Sequence, residues 1–263
     1  MEWLAYLGIG AVVGFAAGLL GIGGGVVMVP MLVLVFTTRG LPAEHVLHLA
    51  IGTALATIVF TSISSMRAHH AHGAVDWKVA RAMSPGILAG AFGAALLAGF
   101  IPTRPLAVMF TALVFYAATQ ILLDLRPRTT RQLPGSAGIF LAGAIIGAVS
   151  SLAAAGGAFL TIPFLAWCNV PLRRAIGTAA ANGLPIALAG SAGYVLHGWR
   201  AEGLPPGSFG YIYLPALALV VTTSMLTAPF GARLAHRLPV KRLRTIFALL
   251  LYVLAIRMLL GLW

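Results

Sequence analysis

No segment of this chain is both polar enough and long enough to fold in water. Apolar runs of the roughly 20 residues needed to cross a bilayer follow one another along its length, separated by short connections. Of 263 residues, 60% are hydrophobic and 8% charged, against about 25% charged in a typical soluble domain. The chain therefore reads as one all-α integral membrane domain. Its first twenty residues lack a basic n-region and outrun the apolar core of a signal peptide, which predicts a retained span.

The formal charge is +12, but the basic residues are scattered through short connections, with no polar face or arm to present them. Nucleic acid is therefore not an expected partner. The single cysteine, Cys168, lies in "FLAWCNV", and a packed small side chain is expected there. It allows neither an intrachain disulfide nor a cysteine-rich metal site.

The second half of the chain repeats the first. "GAIIGAVSSLAAAGGAFLTIP" (143–163) lies on "GIGAVVGFAAGLLGIGGGVVMVP" (8–30) at an offset of 133 residues, matching Gly23, Gly24 and Pro30 to Gly156, Gly157 and Pro163. "AIGTA" at 50–54 recurs at 175–179, and the same offset of 125 carries Thr57 onto Asn182. A weaker block pairs Pro102, Leu106 and Phe110 with Pro239, Leu243 and Phe247. Residues 1–125 and 137–263 thus form two repeats joined by a linker at 126–136, expected in the cytoplasm. Each repeat has a glycine-broken segment (3–36, 137–168) and three unbroken spans (46–66, 81–101, 105–123; 175–196, 210–231, 243–262).

If each broken segment crossed the bilayer once, the loop arginines and lysines would divide almost evenly between its faces. If each turns back as a hairpin, Arg39, Arg104 and Arg200 lie on one face and thirteen others lie opposite, with Arg257 inside the last span. The positive-inside rule favours the second arrangement. The expectation is two inverted repeats, each a broken helical hairpin plus three transmembrane helices, with both termini outside. The second arms, 26–36 and 158–168, are also too short to cross, since eleven helical residues cover about 16 Å.

Backbone leaving helical geometry in hydrocarbon exposes polar groups at several kcal/mol each, unless protein buries them or they line a wet cavity. Transporters built from inverted repeats place such breaks at the midplane and bind substrate there. A short helix starting at each break offers free N–H groups to an anion, and glycine lets the anion reach the backbone. Gly23, Gly24, Gly25, Gly156, Gly157 and Ala158 are therefore candidate substrate-binding positions. Thr53, Thr57, Thr178 and Asn182 are candidate side-chain donors, although a threonine in a span often only bonds its own helix. Pro30 and Pro163 mark hinges in the short arms. The series Gly10, Gly14, Gly18 and Gly143, Gly147, Ser151 suits close helix packing.

"GIGGGV" has neither the strand context nor the Gly-Lys-Ser/Thr of a nucleotide loop. The five acidic residues fall near span ends or in connections, so any ion coupling must use histidine, the substrate's proton or a backbone site. His48, just inside the second span, is the best-placed histidine, with a plain interfacial role the simpler reading. His69, His70 and His72 read as a solvated connection on the basic face rather than a metal site. No cofactor or metal is expected.

The paired "GIGGGVVMVP" and "AAAGGAFLTIP", the two "AIGTA" segments, and "HHAHGAVDW" followed by "SPGILAGAFGA" together resemble the TauE/SafE sulfite exporter family. The resemblance covers essentially the whole chain. It implies transport of sulfite, or of a sulfur-containing organic anion such as sulfoacetate or sulfolactate, across a bacterial inner membrane. The expected partners are that small anion and the lipid bilayer, with a second copy of the chain as a candidate. The second repeat has Ala154, Ala155 and Ala158 where the first has Gly21, Ile22 and Gly25. An anion channel, a carrier of a non-sulfur organic anion and, further off, a membrane enzyme are the alternative readings. No deep nucleophile, acid-base pair or metal cluster supports the last of these.

Overall fold

The computed structural model describes residues 2–20, 24–123, 132–235 and 240–261. Among them are ten helices: α1 (Glu2–Leu20), α2 (Gly25–Thr38), α3 (Val46–Ala71), α4 (Trp77–Ala98), α5 (Thr103–Leu123), α6 (Ser136–Leu152), α7 (Ala158–Trp167), α8 (Leu172–Gly198), α9 (Leu214–Ala235) and α10 (Val240–Gly261). Four of these, α3, α4, α5 and α8, are by length and composition able to cross a bilayer within the described residues. The many exposed large apolar side chains, among them Leu97, Val108, Leu226 and Leu260, suit lipid rather than water.

The breaks fall where the glycines predict them, between α1 and α2 and between α6 and α7. Gly23 and most of the linker, 126–131, lie outside the described residues. Packing interchanges the halves: α1 runs along α9 as α6 runs along α4, α3 packs on α8, and α5 on α10. The small-residue series make these contacts close. Gly10 and Gly14 lie against the backbone of α9 at Val220 and Ser224, and Gly143 and Gly147 against α4 at Met83 and Ile87. Both pairs are parallel, since the contact positions advance together. The seam between α3 and α8 is antiparallel: Gly52 meets Tyr194, Leu55 meets Gly190, and Ser62 meets Gly183.

Two expectations are corrected. The span placed at 210–231 begins instead at Leu214, because Ser208–Phe209 and Ile212–Tyr213 pair as a two-stranded antiparallel hairpin. Gly207 and Gly210 have positive φ and supply its turns. His69 and His70 are not in a connection but in the last turn of α3, and His72 caps it. The helix ends at Ala71, and Gly73, with a φ of +63°, turns the chain after the cap. The His72 Nδ1–H donates to the Ala68 carbonyl at 2.7 Å, and His70 Nδ1 accepts from the Trp77 indole at 3.1 Å. The histidines therefore point at separate partners.

Candidate functional site at the two helix breaks

Gly24 and Gly157 are the N-caps of α2 and α7, and neither helix start has a side-chain cap. Gly24, Gly25, Gly156 and Gly157 are buried and Ala158 is half-buried. Each cap is seated too closely for a side chain. A Cβ on Gly24 would strike Val13, and one on Gly157 would strike the Ala179 carbonyl and approach Gly183 N at 2.8 Å. Gly25 faces the carbonyl oxygen of Ala154, so the two breaks touch each other.

Ala154 has a φ of +45°, the left-handed conformation that costs a non-glycine residue about 1 kcal/mol or more. It ends α6 in a Schellman-like turn in which Ala155 N–H donates to the Ser150 carbonyl at 2.8 Å. The second break thus keeps a glycine-like turn with alanine at the position matching Gly21.

The side chains around the second break are more polar than the sequence reading recognised. Asn182 is fully buried on α8; its amide nitrogen reaches only the Met83 sulfur, at 3.5 Å, and its Oδ1 has no partner. Thr161, one turn into α7, and Ser150, at the end of α6, are also fully buried with unpartnered hydroxyls. Their repeat counterparts at the same offset are Met28 and Ala17, so repeat comparison alone passes over them. A threonine inside the otherwise apolar short arm, and a serine in the last turn of the helix before the break, were the available signals. Orphaned buried oxygens are costly, and three flanking one break mark a place suited to a polar ligand.

The remaining candidates have structural partners. Thr57 is buried and donates to the Thr53 carbonyl in its own helix, 2.9 Å. Thr53 Oγ1 accepts the Tyr213 backbone N–H at 2.9 Å, and Thr178 Oγ1 accepts the Asp76 N–H at 3.0 Å. Asp76 in turn caps α4, its carboxylate accepting from the Lys78 and Val79 N–H groups. Pro30 and Pro163 lie inside α2 and α7. Pro163 joins Leu160, Phe164 and Trp167 in lining an apolar cavity of about 510 Å³. Cys168 is buried at the end of α7.

A larger cavity, about 700 Å³, opens beside the hairpin and is lined by His45, Phe100, His197, Arg200 and Tyr211, among others. Tyr211 stacks between His48 and His197, with ring centroids 5.0 and 6.0 Å away. Burial and the neighbouring Glu44 push the Tyr211 phenol above its ordinary pKa. His48 is buried in the first turn of α3 and donates from Nε2 to the Ala98 carbonyl at 3.1 Å.

Arg39, beyond the end of α2, donates to the hydroxyls of Tyr6 (2.8 Å) and Tyr213 (3.0 Å) and lies within 6.0 Å of both ring centroids. The hydrogen bond to Tyr213 is the largest influence holding its pKa above the ordinary arginine value, and burial acts the other way. Both hydrogen bonds leave the same nitrogen, Nη1, so one charged donor ties the two phenols together. Arg39→Met is expected to lose about 1–2 kcal/mol, after allowance for partial exposure. Thermal unfolding in detergent reads this, and an unchanged midpoint in Arg39→Met would refute a two-phenol clamp.

A family model described as Sulfite exporter TauE/SafE matches residues 6–258. A probable membrane transporter protein of Haemophilus influenzae is 38% identical over 252 residues, covering 95% of each chain. A probable membrane transporter protein of Methanocaldococcus jannaschii is 26% identical, covering 96% of this chain and 93% of its own. One of Bacillus subtilis is 25% identical over 86% of this chain and 87% of its own. No solved structure matches the chain. With the family matched over nearly its whole length, and apolar helices arranged as a multi-pass membrane protein, the chain belongs to the TauE/SafE sulfite exporter family of membrane transporters.

Proposed function

We propose that the protein exports sulfite or a related organosulfonate across the cytoplasmic membrane by alternating access, with the anion bound at the two helix breaks. The observation that carries this reading is the meeting of the breaks: uncapped starts of α2 and α7, with Gly25 against Ala154. Helix starts of this kind attract anions through free N–H groups and the helix dipole. The described acids stand away from the breaks: Glu2 opens α1, Glu44 precedes α3, Asp76 caps α4 and Glu202 follows α8.

The bound anion uses the break glycines and Ala158, with Asn182 and the hydroxyls of Thr161 and Ser150 as added donors. The weak bond to Met83 sulfur leaves Asn182 little to lose by turning N–H groups toward an anion. Thr57, between Leu55 and Ser62 on the seam, is a further donor, whereas Thr53 and Thr178 act through the backbone N–H groups they accept. Hydrogen bonds to a charged group are worth about 1.5–3 kcal/mol each, and a few of them offset desolvation to give weak, exchangeable binding.

The halves are inverted repeats, with both termini on the outer face. The antiparallel α3–α8 seam and the parallel α1–α9 and α4–α6 pairs support this, because a single crossing by each broken segment would make α3 and α8 parallel. Purified protein in liposomes is expected to show saturable efflux of labelled sulfite, inhibited by sulfoacetate or sulfolactate more than by chloride. Absence of efflux from folded protein overturns the sulfite assignment. Conductance far above a carrier's turnover, without counterflow, would make it a channel.

A further inference from the structure

We propose that the repeated Gly-Thr pairs, Gly52-Thr53 and Gly177-Thr178, are reciprocal latches, each holding a loop of the other half over one end of the α3–α8 seam. The two contacts match in kind. In the first, the Gly52 position receives the Tyr211 carbonyl where a Cβ would collide, and the next residue, Thr53, accepts the Tyr213 N–H at 2.9 Å. In the second, Gly177 receives the Ala74 carbonyl in the same way, and Thr178 accepts the Asp76 N–H at 3.0 Å. The motif therefore docks residues 211–213 in one case and 74–76 in the other, a carbonyl and then an N–H two residues on.

The latches lie at opposite ends of the seam. Gly52 and Thr53 are near the start of α3, beside the end of α8, whereas Gly177 and Thr178 are near the start of α8, beside the segment that follows α3. Leu55 with Gly190 and Ser62 with Gly183 fill the seam between them. Each loop is gripped again from outside. Tyr211 N–H donates to the Tyr194 carbonyl at 3.3 Å and Arg39 holds the Tyr213 hydroxyl; at the other end Arg173 donates to the His72 carbonyl at 3.2 Å. Each loop also has a left-handed glycine beside its docked residues, Gly210 (φ +55°) and Gly73 (φ +63°), at which the backbone can swivel. Both latches are closed here, so the seam is shut at both ends, and releasing one exposes it to one face only. Thr53 and Thr178 act through the loops they hold, and are positioning residues in this role.

This rests on the carrier reading, but the test uses no substrate, so its failure is separable from failure of sulfite transport. A single reporter, Leu55→Cys in a Cys168→Ser background, sits in the seam between the latches. It is probed with a membrane-impermeant maleimide in right-side-out and inside-out vesicles. Thr53→Val is expected to raise labelling at least tenfold from the face bearing Arg200. Thr178→Val should do so only from the face bearing Arg173, and Thr53→Ser and Thr178→Ser should stay near the parent level. Labelling that rises equally from both faces, or does not rise in folded valine variants, overturns the latches. Hydrogen exchange on the unsubstituted protein gives a second reading that needs no valine variant to fold. The amides of Tyr213 and Asp76 should exchange at least tenfold faster than the central amides of α3 and α8; exchange only in step with those helices overturns the proposal.

Discussion

Gly25→Val is expected to lower sulfite efflux by roughly 100-fold in protein that still inserts and unfolds cooperatively. A Cβ at this position meets the carbonyl oxygen of Ala154, a backbone atom whose residue already sits at a φ of +45°. Neither side of the contact yields cheaply, so the breaks must part. Displacements of about 1 Å at a site that depends on fixed donors cost about 100-fold in rate. Gly157→Val should act alike, because its Cβ strikes the Ala179 carbonyl on α8. Gly8→Val and Gly93→Val are the controls, since a Cβ at either meets nothing within 4 Å beyond its own stretch of helix. They add the same bulk to α1 and α4 and should transport at close to the parent rate. Efflux by Gly25→Val and Gly157→Val matching that of the controls would remove the breaks from the transport path.

The breaks were legible because glycine clusters inside apolar runs have few physical explanations, and the duplication at a fixed offset made accident implausible. The meaning of "AIGTA" was not legible. Its repetition marked Thr53 and Thr178, but their loop partners are 160 and 102 residues away in the chain. Nothing local says that a hydroxyl near the start of a span faces a backbone N–H rather than an anion. The hairpin at 208–213 was hidden for a related reason. "SFGYIY" is apolar enough to read as the start of a span, and its two-residue strands carry too short a pattern to show the period of two. Thr161 and Ser150 were passed over because comparing the repeats draws attention to what the halves share. The polarity around the second break is what they do not share.

The second large effect is on folding. Gly86→Leu and Gly90→Leu should each lower the thermal midpoint by roughly 3–10 °C, and the double variant should yield no folded protein. In lipid, apolar side chains gain little by leaving the hydrocarbon, so close van der Waals contact must hold helices together. Along α4 that contact is backbone to backbone. A Cβ on Gly86 strikes the Phe140 carbonyl of α6, and one on Gly90 strikes the Ala144 carbonyl. Leucine there forces the helices apart over at least one turn, an overpacking cost of about 1–3 kcal/mol per site, and a domain of this size loses roughly 2–4 °C per kcal/mol. Two such sites one turn apart also undo the contacts between them, which is why the double variant should exceed the sum. Gly93→Leu, on the same helix in open space, should leave the midpoint within about 2 °C. A folded Gly86→Leu/Gly90→Leu protein with an unshifted midpoint would mean that α4 and α6 do not pack in this register. Gly143 and Gly147 would then lose their stated reason for being glycine as well, because they face Met83 and Ile87 across the same interface.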